Sequence, residues 1–236
     1  MSDTSKAKSQ AAAAAAALVQ NGLVVGLGSG TTAELIVKAL GRRVVDEGLR
    51  FTGVSTSDAT TELAREFGIV LCELDDVSTI DINLDGADEI DQLFQMIKGR
   101  GGALLREKIV ASVARRRVTV ITADKRVNRL GMSAPVPVEV SALGCRHIDL
   151  RLQSLGAVTE LRKTAEGSPF VTNNGNRIID CGFRGIDDPA QLDQALQRTI
   201  GVFETGLFVN LCDLLIVGND DGVQKIETGA FRASSF

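Results

Sequence analysis

Leu23-Val24-Val25-Gly26-Leu27-Gly28-Ser29-Gly30-Thr31-Thr32-Ala33-Glu34-Leu35-Ile36-Val37-Lys38-Ala39-Leu40 is the stretch from which the fold is read. Its first five residues, mostly apolar and preceded by the turn signal Gln20-Asn21-Gly22, predict a short buried strand. Ala33, Ile36, Val37 and Leu40 then recur at helical spacing on one face, and Gly41 is expected to close that helix. Between strand and helix lies a glycine-rich turn. Glycine lets the backbone approach an anion closely, and the unpaired N–H groups and dipole of a helix start favour phosphate there. Ser29, Thr31 and Thr32 add hydroxyl donors. The turn is not a dinucleotide fingerprint, because Thr31 stands at the third glycine position, and no Gly-Lys-Ser/Thr follows to make a P-loop. A tight strand-to-helix turn with an ordinary Ser/Thr cap is the plain alternative.

Outward from this unit the alternation repeats. Phe51 to Val54 reads as a strand, Thr60 to Phe67 as a helix, and Ile69 to Leu74 and Ile82 to Leu84 as strands. A helix over Leu104 to Ala114 and an apolar strand over Val118 to Thr122 follow. Such alternation predicts an α/β fold, a Rossmann-like, mainly parallel sheet with helices on both faces. Near Pro135 and Pro137 the pattern changes. Strands at Val136 to Val140, Val158 to Arg162, Arg177 to Phe183 and Val202 to Val209, with helices at Ile148 to Leu155 and Asp188 to Thr199, give the order β-α-β-β-α-β. That order predicts a small inserted ferredoxin-like α+β domain. Leu214 to Gly218 is expected to return to the large sheet. The division is therefore 1–133 with 208–236 for the α/β catalytic domain, and 134–207 for the small domain, with an expected role in oligomerisation.

Composition removes several classes of function. The 236 residues include no Trp, no Tyr and one histidine, His147. A site of two or three His ligands within one chain is excluded, and a Ser-His or Cys-His nucleophile would have to use His147 alone. His147 lies far in sequence from the loops considered below and is read as structural. The net charge of −4 and the lack of a basic run beyond Arg115-Arg116-Arg117 argue against nucleic acid as a partner. The apolar run Ala11 to Val19 is too short to cross a bilayer. Lys6 and Lys8 followed by seven alanines superficially match a signal peptide. A strand pattern follows at once, so a first helix is expected instead. Cys72, Cys145, Cys181 and Cys212 are widely spaced beside apolar residues, and predict buried free thiols in a reducing cytoplasm. Acid–base chemistry then falls to carboxylates and lysines.

Three further segments carry such groups. Asp85-Gly86-Ala87-Asp88-Glu89-Ile90-Asp91 places four carboxylates at the end of a strand, where open α/β sheets bind ligands. Close like charges raise one another's pKa, which suits proton transfer beside a cation; a solvated acidic loop is the alternative, and a Mg²⁺ site is a further one. Lys98-Gly99-Arg100-Gly101-Gly102 is a basic glycine loop feeding the helix at Leu104, and Lys98 there can neutralise a developing oxyanion. Glu107 shares part of that helix's inward face, although a surface Glu favoured by the helix start would look the same. Lys125 ends another strand and is either a solvated lysine or a ligand contact. Ser55-Thr56-Ser57-Asp58 offers hydroxyl donors or a helix cap.

Taken together, Gly26 to Thr32, Asp85 to Glu89, Lys98 to Gly102 and Arg106-Glu107-Lys108 resemble the type A ribose-5-phosphate isomerase family. Asp124-Lys125, Pro137 to Val140, Val171 to Asn176 and Gly206-Leu207-Phe208 match it as well, in order, from about Ala11 to Gly222. The resemblance implies an aldose-ketose isomerase of the non-oxidative pentose phosphate pathway, interconverting D-ribose 5-phosphate and D-ribulose 5-phosphate through an enediolate. It implies no metal and no organic cofactor, a cytoplasmic location, a homodimer or homotetramer, and neither nucleic acid nor membrane as partner. It places the general base on Glu107 and the enediolate-stabilising cation on Lys98, with Asp85 assisting ring opening and Asp88 beside it. Substrate contacts would fall on Ser29, Gly30, Thr31, Thr32, Asp85, Gly86, Ala87, Asp88, Lys98, Gly99, Arg100, Gly101 and Lys125. Arg100 departs from the family, which usually carries three glycines after the lysine. Two other classes share parts of this pattern: a non-catalytic sugar-phosphate sensing domain, and a CoA transferase-like enzyme with a glutamate nucleophile.

Overall fold

The computed structural model describes residues 3–228, in two compact units. The first comprises the described residues up to Ala87, Arg106–Lys125 and the described residues from Leu211; the second comprises Asp88–Leu105 and Arg126–Asn210. The first unit opens with α1 (Asp3–Ala16), β1 (Val24–Leu27), α2 (Gly30–Glu47), β2 (Thr52–Ser55), α3 (Asp58–Glu66), β3 (Val70–Leu71) and β4 (Ile82–Gly86). The chain then forms β5 (Glu89–Ile90) and β6 (Met96–Ile97), followed by α4 (Leu104–Ser112) and β7 (Arg117–Thr122). The second unit continues with β8 (Val136–Val140), α5 (Cys145–Ser154), β9 (Val158–Leu161), β10 (Arg177–Gly182), α6 (Pro189–Gln197), β11 (Val202–Thr205) and β12 (Leu207–Phe208). The hairpin β13 (Leu214–Asn219) and β14 (Gly222–Glu227) completes the first unit.

The first unit's sheet has the order β14-β13-β7-β4-β1-β2-β3, parallel throughout except for the antiparallel edge strand β14. From β1 the chain winds outward through β2 and β3; from β4 it winds the other way through β7 and β13. The switch point therefore lies between β1 and β4, where such sheets bind ligands outside the carboxyl ends of the strands. Helices cover both faces. On one, Val25, Leu27, Leu84, Val118, Val120 and Ile216 pack against α1, α2 and α3 through Ala11, Ala15, Ile36, Leu40 and Ala64. Each such leucine or isoleucine contributes about 1.5–3 kcal/mol on leaving water. On the other face, Val110 and Ala114 pack with Val54 and Ile80. The alanine run is thus a core helix, its small side chains giving a close fit to the sheet.

In the second unit, β8, β9, β10 and β11 form an antiparallel sheet in the order β11-β8-β10-β9. This is the ferredoxin-like arrangement, and Val136, Val138, Val140, Ile179 and Cys181 pack against Ile148 and Leu152 of α5 and Leu196 of α6. A separate three-stranded sheet runs β12-β6-β5.

Several boundaries differ from the sequence expectation. Gly41 does not close α2; the helix continues to Glu47 and ends at Gly48, which takes the left-handed conformation. Gly41 lies inside the helix because a Cβ there would stand 2.4 Å from the Phe67 ring. The strand expected over Ile69 to Leu74 shortens to β3 and a 3₁₀ turn, Leu74–Asp76. The strand expected over Val202 to Val209 breaks at Gly206, whose N–H donates to Pro137 O (2.7 Å) while its carbonyl accepts from Lys98 N (2.9 Å). A Cβ at Gly206 would lie 2.3 Å from Lys98 O, so only glycine passes this crossing, and the chain changes partner there from β8 to β6.

The four thiols are free, but only Cys181 and Cys212 are buried; Cys72 and Cys145 are half-buried. Burial pushes Cys181 up to about 12 and Cys212 up to about 11, from 9.0. A thiol reagent at pH 8 is therefore expected to label Cys72 and Cys145 in the native protein and all four after unfolding. With the folded values raised, the unfolded state gains by ionising first, so the stability these two thiols contribute is fully present below pH 9 and is lost from pH 9 towards 12. Urea titrations at pH 8, 9.5 and 10.5 would measure this decline.

Candidate active site

The predicted site residues fall into two sets, one in each unit. In the first unit, β1 delivers the glycine turn and β4 delivers Asp85 to the switch point. The two strands are direct neighbours, Leu27 pairing with Leu84. Gly28 N–H donates to Leu84 O (3.0 Å), and a Cβ at Gly28 would overlap the Asp85 carboxyl group at 2.1 Å. Glycine at 28 is therefore what lets a carboxylate sit against the turn. Asp85, only 4% exposed, accepts the N–H of Gly86 through Oδ1 (2.7 Å).

Ser29 occupies the N-cap position of α2 but makes no capping hydrogen bond. Its hydroxyl instead donates to Oε1 of Glu107, which lies in the first turn of α4 and is 3% exposed. The N–H groups of the first turn of α2 are thus left without a side-chain cap, which is the condition for an anion site at a helix start. Thr60 holds the turn from behind by donating to Gly28 O (2.9 Å). Lys8 of α1 donates to Thr31 Oγ1 (3.2 Å), placing a cation beside the turn. Sequence reading missed Lys8, since its only signal was a basic residue ahead of an alanine run. Lys125, in the 3₁₀ turn after β7, is one-third exposed and stands 3.7 Å from Asp124. Ser57 is the cap of α3, accepting from Thr60 N, so the helix-cap reading of Ser55-Thr56-Ser57-Asp58 holds at Ser57, while Ser55 ends β2.

The acidic run divides between the two units. Asp85 ends β4 in the first unit, while the other three carboxylates lie in the second and are each taken by backbone N–H groups. Asp88 accepts from Arg100 N (3.0 Å). Glu89, 1% exposed, accepts from Gly131 N, Ser133 N and Ala134 N at 2.6–2.7 Å. Asp91 closes a turn by accepting from Leu93 N and Gln95 N. The run is read in sequence as one motif because its members are adjacent; the strand pleat and the turn send them to different partners.

Lys98 is 5% exposed, and its Nζ stands over the Phe208 ring, 5.3 Å from the centroid. That contact sets the ammonium group against the face of an aromatic ring, which attracts a cation. Arg100 is exposed and keeps an ordinary negative φ, so the chain accepts a side chain where the family usually has glycine. His147 is exposed on α5, beside a cavity of about 450 Å³ lined also by Arg151, Arg198 and Ile200, and has no place among these site residues.

A doubly wound parallel sheet with an uncapped glycine turn and a buried carboxylate at its switch point defines the class of open α/β proteins, which bind ligands outside the carboxyl ends of their strands. The comparisons narrow that class. Residues 52–222 match the family described as ribose 5-phosphate isomerase A (phosphoriboisomerase A). Ribose-5-phosphate isomerase A of Thermomicrobium roseum is 48% identical over 225 residues, covering 95% of this chain and 94% of that protein. The solved ribose 5-phosphate isomerase A of Methanocaldococcus jannaschii is 36% identical with a TM-score of 0.91, covering 95% of this chain and 99% of that one. A D-ribose-5-phosphate isomerase in complex with phospho-erythronic acid is 37% identical with a TM-score of 0.92, at the same coverage. The chain belongs to the ribose-5-phosphate isomerase A family, whose members are aldose-ketose isomerases.

Proposed function

We propose that this protein interconverts D-ribose 5-phosphate and D-ribulose 5-phosphate, with Glu107 as general base and an enediolate as intermediate. The observation that carries the reading is the buried Glu107 carboxylate held by Ser29 at the uncapped turn after β1. A base used in both directions of a proton shift must be fixed and shielded from water, and this contact supplies both conditions. The glycine turn, with Gly30, Thr31 and Thr32 at the start of α2 and with Lys8 and Lys125 as nearby cations, suits the phosphate. Asp85, with Gly86 and Ala87, faces the sugar and assists ring opening.

In the forward direction Glu107 takes the proton from C2 of the open-chain aldose. The C2–H electron pair forms the C1–C2 double bond, and the C1 carbonyl oxygen becomes the enediolate oxyanion. Glu107 then returns the proton to C1, and the C2 hydroxyl becomes the ketone as its proton passes to the oxygen on C1. Lys98 supplies the positive charge that favours the oxyanion, and Asp88, Gly99, Arg100 and Gly101 shape its loop. We further propose a place in the non-oxidative pentose phosphate pathway, a cytoplasmic location, and residues 134–207 as a domain that contributes to a homodimer or homotetramer. No metal and no organic cofactor are required by this chemistry. Purified protein with chelator present is expected to convert ribose 5-phosphate to ribulose 5-phosphate. Absence of turnover, or turnover abolished by chelator, would overturn the proposal.

A further inference from the structure

We infer that Arg162 is a positioning residue for the loop that carries Lys98, acting on the peptide planes at Gly99 and Arg100. The inference deepens the proposed function, because it assigns what orients the oxyanion-stabilising loop. Arg162 directly follows β9, and its own backbone is tied on both sides: its N–H donates to Ile178 O and its carbonyl accepts from Phe170 N, each at 2.9 Å. From that fixed base the planar guanidinium divides its donors. Nε and Nη2 engage both carboxylate oxygens of Asp180 on β10, with Nε–Oδ2 at 2.9 Å. Nη1 turns the other way and donates to Gly99 O (2.8 Å) and Arg100 O (3.0 Å). The Arg162 and Asp180 side chains are only 15% and 20% exposed, so water competes weakly for their ion pair.

The consequence follows from peptide geometry. Every peptide bond described is trans, so carbonyl and N–H point to opposite edges of each plane. Drawing the Gly99 carbonyl to Arg162 sends the N–H of Arg100 the other way, where Asp88 accepts it (3.0 Å). Drawing the Arg100 carbonyl to Arg162 turns the N–H of Gly101 away from Arg162 as well. Lys98 itself is fixed at its N–H by Gly206 O (2.9 Å). Arg162 thus sets the orientation of two consecutive amides, Gly99–Arg100 and Arg100–Gly101, one residue beyond Lys98, and Asp88 holds the far edge of the first. The task needs a fork of donors in one plane; a lysine at 162 brings the charge as a single point and cannot bridge Asp180 and two carbonyls.

The test uses the full chain with Arg162→Met, Arg162→Lys and Asp180→Asn. Amide hydrogen exchange over residues 98–102 is expected to quicken at least about tenfold in both Arg162 variants, a readout independent of substrate. With ribose 5-phosphate, kcat is expected to fall roughly ten- to a hundredfold while KM changes less, as for a reacting group displaced by a fraction of an ångström. Arg162→Lys is expected to recover thermal stability but not kcat, and Asp180→Asn to fall between wild type and Arg162→Met. In a Lys98→Met background the Arg162→Met loss should shrink to about twofold or less, because the two residues act through one group. Unchanged exchange, restoration of kcat by lysine, or an undiminished loss in the Lys98→Met background each overturn the inference. Should Arg162→Met not fold, Arg162→Lys and Asp180→Asn carry the same tests. A wild type without turnover defeats the proposed reaction but leaves the exchange result to decide the positioning role.

Discussion

Glu107→Gln is expected to lower kcat by about two to four orders of magnitude, the usual worth of a general base, while KM stays within a few-fold. Glutamine has the same shape, and its carbonyl oxygen still accepts the Ser29 hydroxyl, so the contact that orients residue 107 survives. Its amide has no basic lone pair with which to take a proton from carbon. Packing is also unaffected, because the side chain is already enclosed and the volume is unchanged. A steady-state assay paired with a melting curve separates the two effects: kcat falls while the midpoint moves by no more than a few degrees. A variant that keeps more than about a tenth of wild-type kcat would transfer the base role to Asp85, the other buried carboxylate at the switch point.

The largest effect on stability is expected at a residue outside the chemistry. Glu89→Ala removes the acceptor of three backbone N–H groups, those of Gly131, Ser133 and Ala134. Each buried donor left without an acceptor costs about 1–3 kcal/mol, and water entering the vacated space recovers part of it, so a net loss of about 3–5 kcal/mol is expected. For a chain of this size that corresponds to a midpoint lower by about 6–20 °C. Glu89→Gln retains one acceptor oxygen but turns an NH₂ towards the remaining donor, and should lose roughly half as much. Calorimetry of the three proteins measures the order wild type, Gln, Ala. An alanine variant melting with wild type would mean that the 131–134 turn is held by other contacts.

The strands and helices of the large sheet were legible because strands buried on both faces are short, nearly continuous apolar runs and the helices repeat their apolar residues at a period of 3.6. The β-α-β-β-α-β order of residues 136–205 was legible for the same reason, and the observed strand order agrees with it. The two-residue pieces β5 and β6 and the polar edge strand β14 carry too little pattern to be read, and β12 was read only as the end of one longer strand over Val202 to Val209. Nor does the sequence signal that Asp88–Leu105 packs with Arg126–Asn210, since that association rests on pairings such as Leu207 with Ile97, more than a hundred positions apart. Glycines were ambiguous in the same way. Gly41 and Gly206 look like terminators or strand residues, yet each is required by a neighbour distant in sequence, Phe67 and Lys98 respectively.

For the site, the sequence by itself determined which chemistry was available: carboxylates and lysines without a usable histidine, and a glycine turn at a helix start. It also placed Asp85 and the turn at strand ends, because strand ends follow from local pattern. Which carboxylate does what was decided only by tertiary structure. Four acids that read as one motif separate into Asp85 at the switch point and Asp88, Glu89 and Asp91 on backbone N–H groups. Ser29, a cap by every local rule, turns to Glu107, seventy-eight positions on. Local pattern encodes which groups a segment buries or exposes. The partner of a buried polar group is fixed by whichever distant segment the fold brings within about 3 Å, and no short window of sequence contains that distance.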